Sequence, residues 1–323
     1  MTYRTPQTEP EQLSELIDIN VDFVAKSPYP TQRSEHGKGV ADMQGTFTVP
    51  EGLPIELRQG LFAHPGTYPA TIRFSNGAVQ KDNKRDTHGF AVKVHDVPLE
   101  TAPVDEAGRS FQDFIMLDSP IFVMGGLADY IPFNRAFMDA KVSLLGKLQL
   151  GWLLLCNLRW VKPVLRLALN RPNAPLSTNY WSTTPYQLGP HVVKYKAVPQ
   201  NRTGPAPRIY GANGRRNALR KQLASGPGVF AFGVLKQTDP KTQPIEDPSV
   251  DWEDFGVAYY HLADIEIPSD QIVEAPAAME NALTYSPGHA AREHFPLGAI
   301  NRARTAIYAA ARAARLRAVD KEH

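Results

Sequence analysis

The chain has 323 residues, of which 42% are apolar and 21% are charged, a composition typical of a globular protein and not of a disordered one. Its 35 basic and 33 acidic residues leave a formal net charge of +2, which excludes a global positive field that would gather nucleic acid. The single cysteine, Cys156, excludes an internal disulfide framework, a cysteine-based zinc site and an iron–sulfur cluster held by cysteine alone. A metal in this protein would therefore need a different anchor.

The first segments of the chain predict one helix followed by strands. Residues 1–6 lack the apolar core of a secretory signal, so we expect a cytoplasmic location. The sequence has no internal repeat, and we expect one domain over residues 1–323. Apolar side chains recur on one face of a helix predicted at 10–26. Strands are predicted at 40–49, 70–75, 90–94, 113–117, 192–197, 229–235 and 257–265. The absence of a regular strand–helix alternation favours an α+β fold.

An apolar segment at 141–171 is rich in leucine and tryptophan, and basic residues flank it. Its uninterrupted apolar run is too short to span a bilayer. Two interpretations stay open: a pair of packed helices, or a basic and apolar surface that contacts a membrane or admits a lipid substrate. In either case we expect a helical, apolar insertion at about 126–171.

An alanine-rich helix is predicted at 297–319. At about 100° per residue, with Arg304 at 0°, Tyr308 lies near 40°, Arg312 near 80° and Arg315 near 20°, so one narrow face carries a tyrosine among arginines. A neighbouring guanidinium favours the phenolate, which is a known proximal ligand of haem iron, and arginine pairs well with carboxylates such as haem propionates. The alternative is a solvated basic face with a packed tyrosine.

Four sequence strings and the C-terminal helix together resemble the haem catalase superfamily. The strings are R-x-x-H-x-K-G at 33–39, R-F-S at 73–75, R-D-x-x-G-F-A-V-K at 85–93 and D-F-I-M-L-D-S-P-I-F at 113–122. Arg304-x-x-x-Tyr308 is similar to the proximal haem-ligand helix of that family. Since the chain is far shorter than an ordinary catalase, it resembles the small catalase-related branch, which includes peroxidases and allene oxide synthases.

The resemblance implies a catalase-like antiparallel β-barrel wrapped by helices, with haem b buried against the C-terminal helix. His36 matches the distal histidine, which moves a proton between the oxygens of a peroxide, and Ser75 matches the serine that orients it. Tyr308 matches the iron ligand and Arg304 the arginine that stabilises its phenolate.

The remaining arginines are expected to contact the cofactor. Arg33, Arg73 and Arg315 match the residues that hold the propionates, and Arg312 lies on the flank of the same helix face. The alternative for each of them is an ordinary surface arginine.

Two residues depart from the family pattern. Asp118 stands where the family usually has an asparagine that hydrogen-bonds the distal ligand, so its carboxyl would either ionise beside His36 or stay protonated with a raised pKa. In a different register, Asp118 would only cap a turn. Glu35 stands where a small apolar residue is usual, and we expect it to point to solvent. Both departures predict weak catalase activity at most.

The expected function is that of a haem-dependent peroxidase that reduces hydrogen peroxide or organic hydroperoxides, lipid hydroperoxides among them, with a small-molecule electron donor. The alternatives are a fatty-acid hydroperoxide isomerase or lyase of the allene oxide synthase type, and a non-enzymatic haem-binding sensor. We expect no nucleic-acid partner, and we leave open a peripheral membrane contact through 141–171 and a homo-oligomer.

Overall fold

The computed structural model describes residues 7–26, 36–200, 206–271, 273–274 and 283–322. Within these residues the helices are α1 (Glu9–Lys26), α2 (Leu127–Val142), α3 (Leu144–Cys156), α4 (Leu158–Ala168), α5 (Gly214–Leu223) and α6 (Ala299–Glu322). The strands are β1 (Gly39–Val49), β2 (Gly66–Asn76), β3 (His88–His95), β4 (Phe111–Leu117), β5 (Tyr180–Trp181), β6 (Tyr186–Leu188), β7 (His191–Pro199), β8 (Gly228–Lys236) and β9 (Tyr259–Ile267).

The strands form an antiparallel barrel. Their order is β5-β4-β3-β2-β1-β9-β8-β7-β6, and β5 pairs with β7 as well as with β4. Trp181 lies opposite Leu117 of β4 on one side and Lys196 of β7 on the other. This short strand therefore closes eight strands into a barrel, with β6 attached outside the ring as a hairpin partner of β7. The structure confirms the predicted α+β barrel.

An aromatic core fills the barrel. The ring of Phe114 on β4 lies 5.7 Å from that of Phe47, 4.9 Å from that of Tyr195 and 4.8 Å from that of Phe232. These partners come from β1, β7 and β8, so a single ring joins strands from both halves of the barrel. Alternate residues of each strand point inward, which is why the period-2 pattern of the sequence predicts these strands.

Five of the described helices pack together in two apolar clusters. In the first, α1, α2 and α6 share apolar contacts through residues such as Leu16, Ile131, Ile300 and Ile307. This packing holds α6 against the rest of the fold and, with it, the face that carries the arginines and the tyrosine. The second cluster, built around Phe133, joins α2 to α3 and α4.

The structure confirms the predicted helices at 10–26 and 297–319 and the seven predicted strands, and it resolves the 141–171 segment into two helices. β5 and β6 were not predicted because two or three residues are too few to show an alternating pattern. The polar helix α5 was not predicted either, since few apolar residues mark its inner face.

Candidate functional site

The imidazole of His36 rests on the barrel wall, over the pair formed by β2 and β3. Ser75 lies opposite Gly89 in this pair, and the Ser75 Oγ is 3.1 Å from His36 Nδ1, within hydrogen-bond distance. A Cβ at Gly89 would stand 2.5 Å from the Ser75 Oγ and 2.8 Å from His36 Nδ1. Only glycine therefore leaves room for the ring, and the structure brings His36 and Ser75 together.

The backbone holds His36 in an unusual conformation. Its φ of 55° lies in the left-handed region, which costs free energy for a residue with a Cβ. The His36 amide donates to the carbonyl of Gly77 (2.9 Å), and Arg73 Nη2 donates to the His36 carbonyl (3.2 Å). These two bonds fix the residue at the edge of the barrel.

Charge links His36 to the C-terminal helix. Burial, above all, lowers the pKa of His36 to about 3, and the positive charges of Arg73, Lys141 and Arg304 lower it further, whereas Asp118 opposes them. The imidazole is therefore neutral at pH 7. Since Arg304 belongs to α6, the charge of this helix contributes to the environment of the His36 imidazole.

Asp118 makes its hydrogen bonds to residues other than His36. Its Oδ1 accepts from the His88 amide (2.7 Å), while its Oδ2 accepts from Asn170 Nδ2 (2.7 Å) and lies 2.5 Å from His88 Nδ1. Successive side chains of a strand point to opposite faces, so His88 projects from the face opposite Gly89, where His36 rests. Among the described residues, no hydrogen bond joins Asp118 to His36, and its role as distal partner stays a prediction.

On α6, Arg304 is buried beside Tyr308. Arg304 Nη1 donates to the hydroxyl of Thr184 (2.7 Å) and to Asn301 Oδ1 (3.0 Å). Burial acts to lower the pKa of Arg304, but the nearby phenols of Tyr186 and Tyr308 outweigh it and raise that pKa above its usual value. The predicted arginine and tyrosine thus lie near each other, one helical turn apart on α6.

A cavity of about 100 Å³ opens beside Tyr308. Arg312 and Arg315 line it from α6, Arg312 exposed and Arg315 buried, and His289 lines it from the segment that precedes α6. His289 Nδ1 lies 2.9 Å from Asp113 Oδ2, and this buried carboxylate also accepts from the ammonium of a β3 lysine. Three of the predicted cofactor residues therefore face one space.

The two other predicted arginines have different positions. Arg73 is buried on β2, where its Nη1 lies 3.3 Å from Asp42 Oδ2 on β1. Arg33 lies outside the described residues, as does Glu35, whose expected direction therefore stays a prediction.

Sequence reasoning did not single out several residues that shape this site, namely Gly89, His88, Asn170 and His289. Gly89 and His88 are part of the 85–93 string, so the motif pointed to the right segment. Only the strand pairing shows that one supports His36 and the other binds Asp118. Asn170 and His289 carry no local signal, since their partners lie 52 and 176 residues away along the chain.

Solved catalases are similar in structure to this chain. A fungal catalase aligns with a TM-score of 0.69 at 15% sequence identity, over 98% of this chain and 64% of its own. Catalase A from Saccharomyces cerevisiae aligns with a TM-score of 0.65 at 17% identity, over 98% and 67%, and a bacterial catalase with 0.60 at 15%, over 98% and 62%.

The chain thus spans about two thirds of the length of these catalases. No protein-family model matches its sequence. No curated protein matches it either. The likeness extends over nearly all of the chain and includes the barrel and the helices that carry the candidate site, from which it follows that this protein has the catalase fold.

Proposed function

We propose that this protein is a haem-dependent enzyme that acts on peroxides. One observation carries the proposal: a catalase fold holds a histidine against a serine on the barrel wall, His36–Ser75, and a tyrosine beside a buried arginine on the C-terminal helix, Arg304–Tyr308.

The donor set fits haem. A phenol beside a buried guanidinium is an oxygen ligand suited to ferric iron, and Tyr308 has this environment. Arg312 and Arg315 line the same cavity as Tyr308 and offer the planar donors that bind carboxylates such as propionates. The cavity is much smaller than a porphyrin, so the chemistry of these donors supports the fit and the cavity volume does not.

When bound, haem would supply an iron centre that accepts a peroxide oxygen and promotes cleavage of the O–O bond. Tyr308 would hold the iron through its phenol oxygen, and the guanidinium of Arg304 would place a positive charge beside that oxygen. Arg312 and Arg315 would hold the propionates.

His36 would move the proton. Its lowered pKa keeps the ring neutral, so it can take a proton from a peroxide and return it to the leaving oxygen. The Ser75 hydroxyl occupies Nδ1, which leaves Nε2 for the exchange and fixes the orientation of the ring. Substrates of the proposed enzyme are hydrogen peroxide and organic hydroperoxides, with a small-molecule electron donor.

The first experiment tests haem ligation. We expect Tyr308→Phe to lose stable haem, measured as the ratio of Soret to protein absorbance after purification, because phenylalanine offers no oxygen ligand. Tyr260→Phe, at an exposed tyrosine of β9, is the matched control and should retain haem. Equal haem content in the two variants would contradict the assignment of the ligand.

The second experiment tests proton transfer. His36→Ala should keep haem and slow its reaction with peroxide by a factor of about 10² to 10⁴, measured by stopped-flow absorbance. An unchanged rate would exclude His36 from this role, and a haem that is equally unreactive in the unaltered protein would indicate a sensor in place of an enzyme.

A second candidate function is the isomerisation or cleavage of fatty-acid hydroperoxides. The observation that favours it is the large apolar surface of α3 and α4, which suits a lipid substrate better than hydrogen peroxide. Reaction with each peroxide in turn, with and without an electron donor, separates the two functions. An isomerase consumes the fatty-acid hydroperoxide without a donor, whereas a peroxidase forms the alcohol only when a donor is present.

A further inference from the structure

The outer face of α3 is apolar and open to solvent. Leu144, Leu145, Leu148, Trp152 and Leu155 lie within an arc of about 100° on this helix. All five are exposed, with 74% of Leu144 and 69% of Trp152 accessible. Contiguous apolar patches of this kind mark interaction sites on soluble domains.

The opposite face of α3 already has its packing partners. Leu150, Leu153 and Leu154 contact the cluster of Met124 and Phe133. The exposed face is therefore additional to the apolar surface that the fold itself uses. The five exposed residues from Leu144 to Leu155, called the apolar stripe below, are not needed to attach the helix to the protein.

The neighbouring helix α4 repeats this arrangement with a basic edge. Leu158 and Leu165 are exposed, while Arg159, Lys162 and Arg166 lie about 40° to 100° from Leu158 around the helix. Trp160 of α4 is buried in the same cluster that holds the inner face of α3. Because both helices turn their inner faces to one cluster, both outer faces point to solvent.

The helices α3 and α4 form a hairpin whose net charge differs from that of the whole chain. Residues 143–171 contain five basic residues and no acidic one, whereas the chain as a whole has a net charge of only +2, so the remainder is net negative. The basic residues are Lys147, Arg159, Lys162, Arg166 and Arg171, and all five are exposed.

Two of these cations bind acidic residues of the fold: Arg159 pairs with Asp129 (2.5 Å) and Arg166 with Asp251 (2.8 Å). Lys147, Lys162 and Arg171 form no ion pair within the part of the chain that the structure describes. Three exposed cations beside the apolar stripe are thus available to an external anionic partner.

We propose that the α3–α4 hairpin docks on the surface of an anionic phospholipid membrane. Trp152 and the leucines of the stripe would enter the boundary between headgroups and acyl chains, and the basic edge would contact lipid phosphates. A second copy of the chain suits this face less well, because a symmetric pair would bring the same cations together. Among the described residues, no helix is long and apolar enough to cross a bilayer.

The test is binding of the purified protein to vesicles, which requires neither peroxide nor turnover and is therefore separate from the proposed function. We expect co-sedimentation with vesicles of equal parts phosphatidylcholine and phosphatidylglycerol, weaker binding to pure phosphatidylcholine, and loss of binding in high salt. Lys147→Gln, Lys162→Gln and Arg171→Gln combined should weaken binding about a hundredfold, since each cation contributes about 1 kcal/mol at an anionic surface.

The apolar stripe is tested by its own variant and by fluorescence. Leu148→Glu with Leu155→Glu should reduce binding at least about tenfold, because charged side chains resist insertion, whereas Ile55→Glu and Lys221→Gln, at exposed positions elsewhere, should have no effect. Vesicles should shift tryptophan emission to shorter wavelength, and Trp152→Phe should abolish the shift, because the other tryptophans are buried or half-buried.

Three results would overturn the proposal. The first is no binding to anionic vesicles, and the second is equal binding by the hairpin variants and the two controls. The third is a dimer in sedimentation equilibrium without lipid that Leu148→Glu with Leu155→Glu converts to a monomer, which would assign the face to a second copy.

Discussion

His294 lies in the aromatic core of the barrel, where both ring nitrogens are engaged. Nε2 accepts a hydrogen bond from the Leu61 amide (2.9 Å), and Nδ1 lies 3.0 Å from the Tyr195 hydroxyl. Since Nε2 accepts, the neutral ring carries its proton on Nδ1. Burial lowers the pKa of His294 to about 4, against the small opposing effect of Glu293. A second proton would both charge the ring and break the bond from Leu61.

We expect this histidine to destabilise the fold in acid. Its pKa is about 4 in the folded protein and about 6.5 in the unfolded chain. Between these values the unfolded chain binds more protons, so the free energy of unfolding decreases as the pH is lowered. His294 should lower the free energy of unfolding at pH 5 by about 2 kcal/mol relative to neutral pH. Urea unfolding at pH 7 and pH 5 measures it.

The control for this pH dependence uses two variants. His294→Gln should be less stable at neutral pH but should lose less of its remaining stability at pH 5, whereas the exposed His64→Gln should behave as the unaltered protein. An equal loss on acidification in all three proteins would show that His294 does not contribute.

A methyl group at Gly89 should disturb the candidate site directly. In Gly89→Ala, the new Cβ meets the Ser75 Oγ and His36 Nδ1, so the imidazole must move away from its serine. We expect haem content to be kept and the reaction with peroxide to slow at least about tenfold, since proton transfer depends on orientation. Gly151→Ala is the matched control, because its Cβ meets nothing within 4 Å. Equal rates in the two variants would contradict the placement of His36.

At the scale of elements, a buried carboxylate connects α5 to the barrel. Asp82 Oδ2 accepts from the amides of Arg215 (2.9 Å) and Arg216 (3.4 Å) in the first turn of α5. Its Oδ1 accepts from Asn76 Nδ2 (2.9 Å) and pairs with the Lys38 ammonium (2.8 Å). The helix dipole favours an anion at this end of α5. Asp82 therefore both caps the helix and neutralises Lys38, two residues after His36.

Asp82→Ala should therefore destabilise the protein by about 3 kcal/mol, because it leaves the amides of α5 unpaired and the charge of Lys38 uncompensated. Denaturant unfolding measures the loss. Asp270→Ala removes an exposed aspartate and should change stability by no more than about 0.5 kcal/mol. A similar effect of both variants would mean that the cap does not stabilise the fold.

At the scale of the whole molecule, the barrel core should unfold as a unit. The Phe114 ring contacts rings from three other strands, so truncation leaves a cavity at the centre of the barrel. We expect Phe114→Ala to cost about 4 kcal/mol and to shift a single thermal transition to lower temperature. Phe255→Ala, at a half-exposed ring, should cost less than about 1 kcal/mol. Two separate transitions would contradict a cooperative barrel.

The predictable part of the site is the part with local geometry. On α6, the spacing of Arg304 and Tyr308 places them on one helix face whatever surrounds the helix, and the structure has the helix there with Arg304 buried. The surroundings of Asp118, in contrast, depend on residues that are distant along the chain. Its hydrogen bonds go to His88 and Asn170, which depend on the pairing of β3 with β4 and on the end of α4, and no spacing within one segment expresses them.

The sequence by itself determined the long strands, the terminal helices and the order of the motif segments, because alternation, helical periodicity and short strings are properties of neighbouring residues. Only the tertiary structure decided that the two-residue strand β5 closes the barrel and that Gly89 makes room for His36. It also decided that α3 leaves its second apolar face in solvent. Each of these depends on which distant segments come together. The sequence alone does not distinguish a leucine that is packed from one that is exposed.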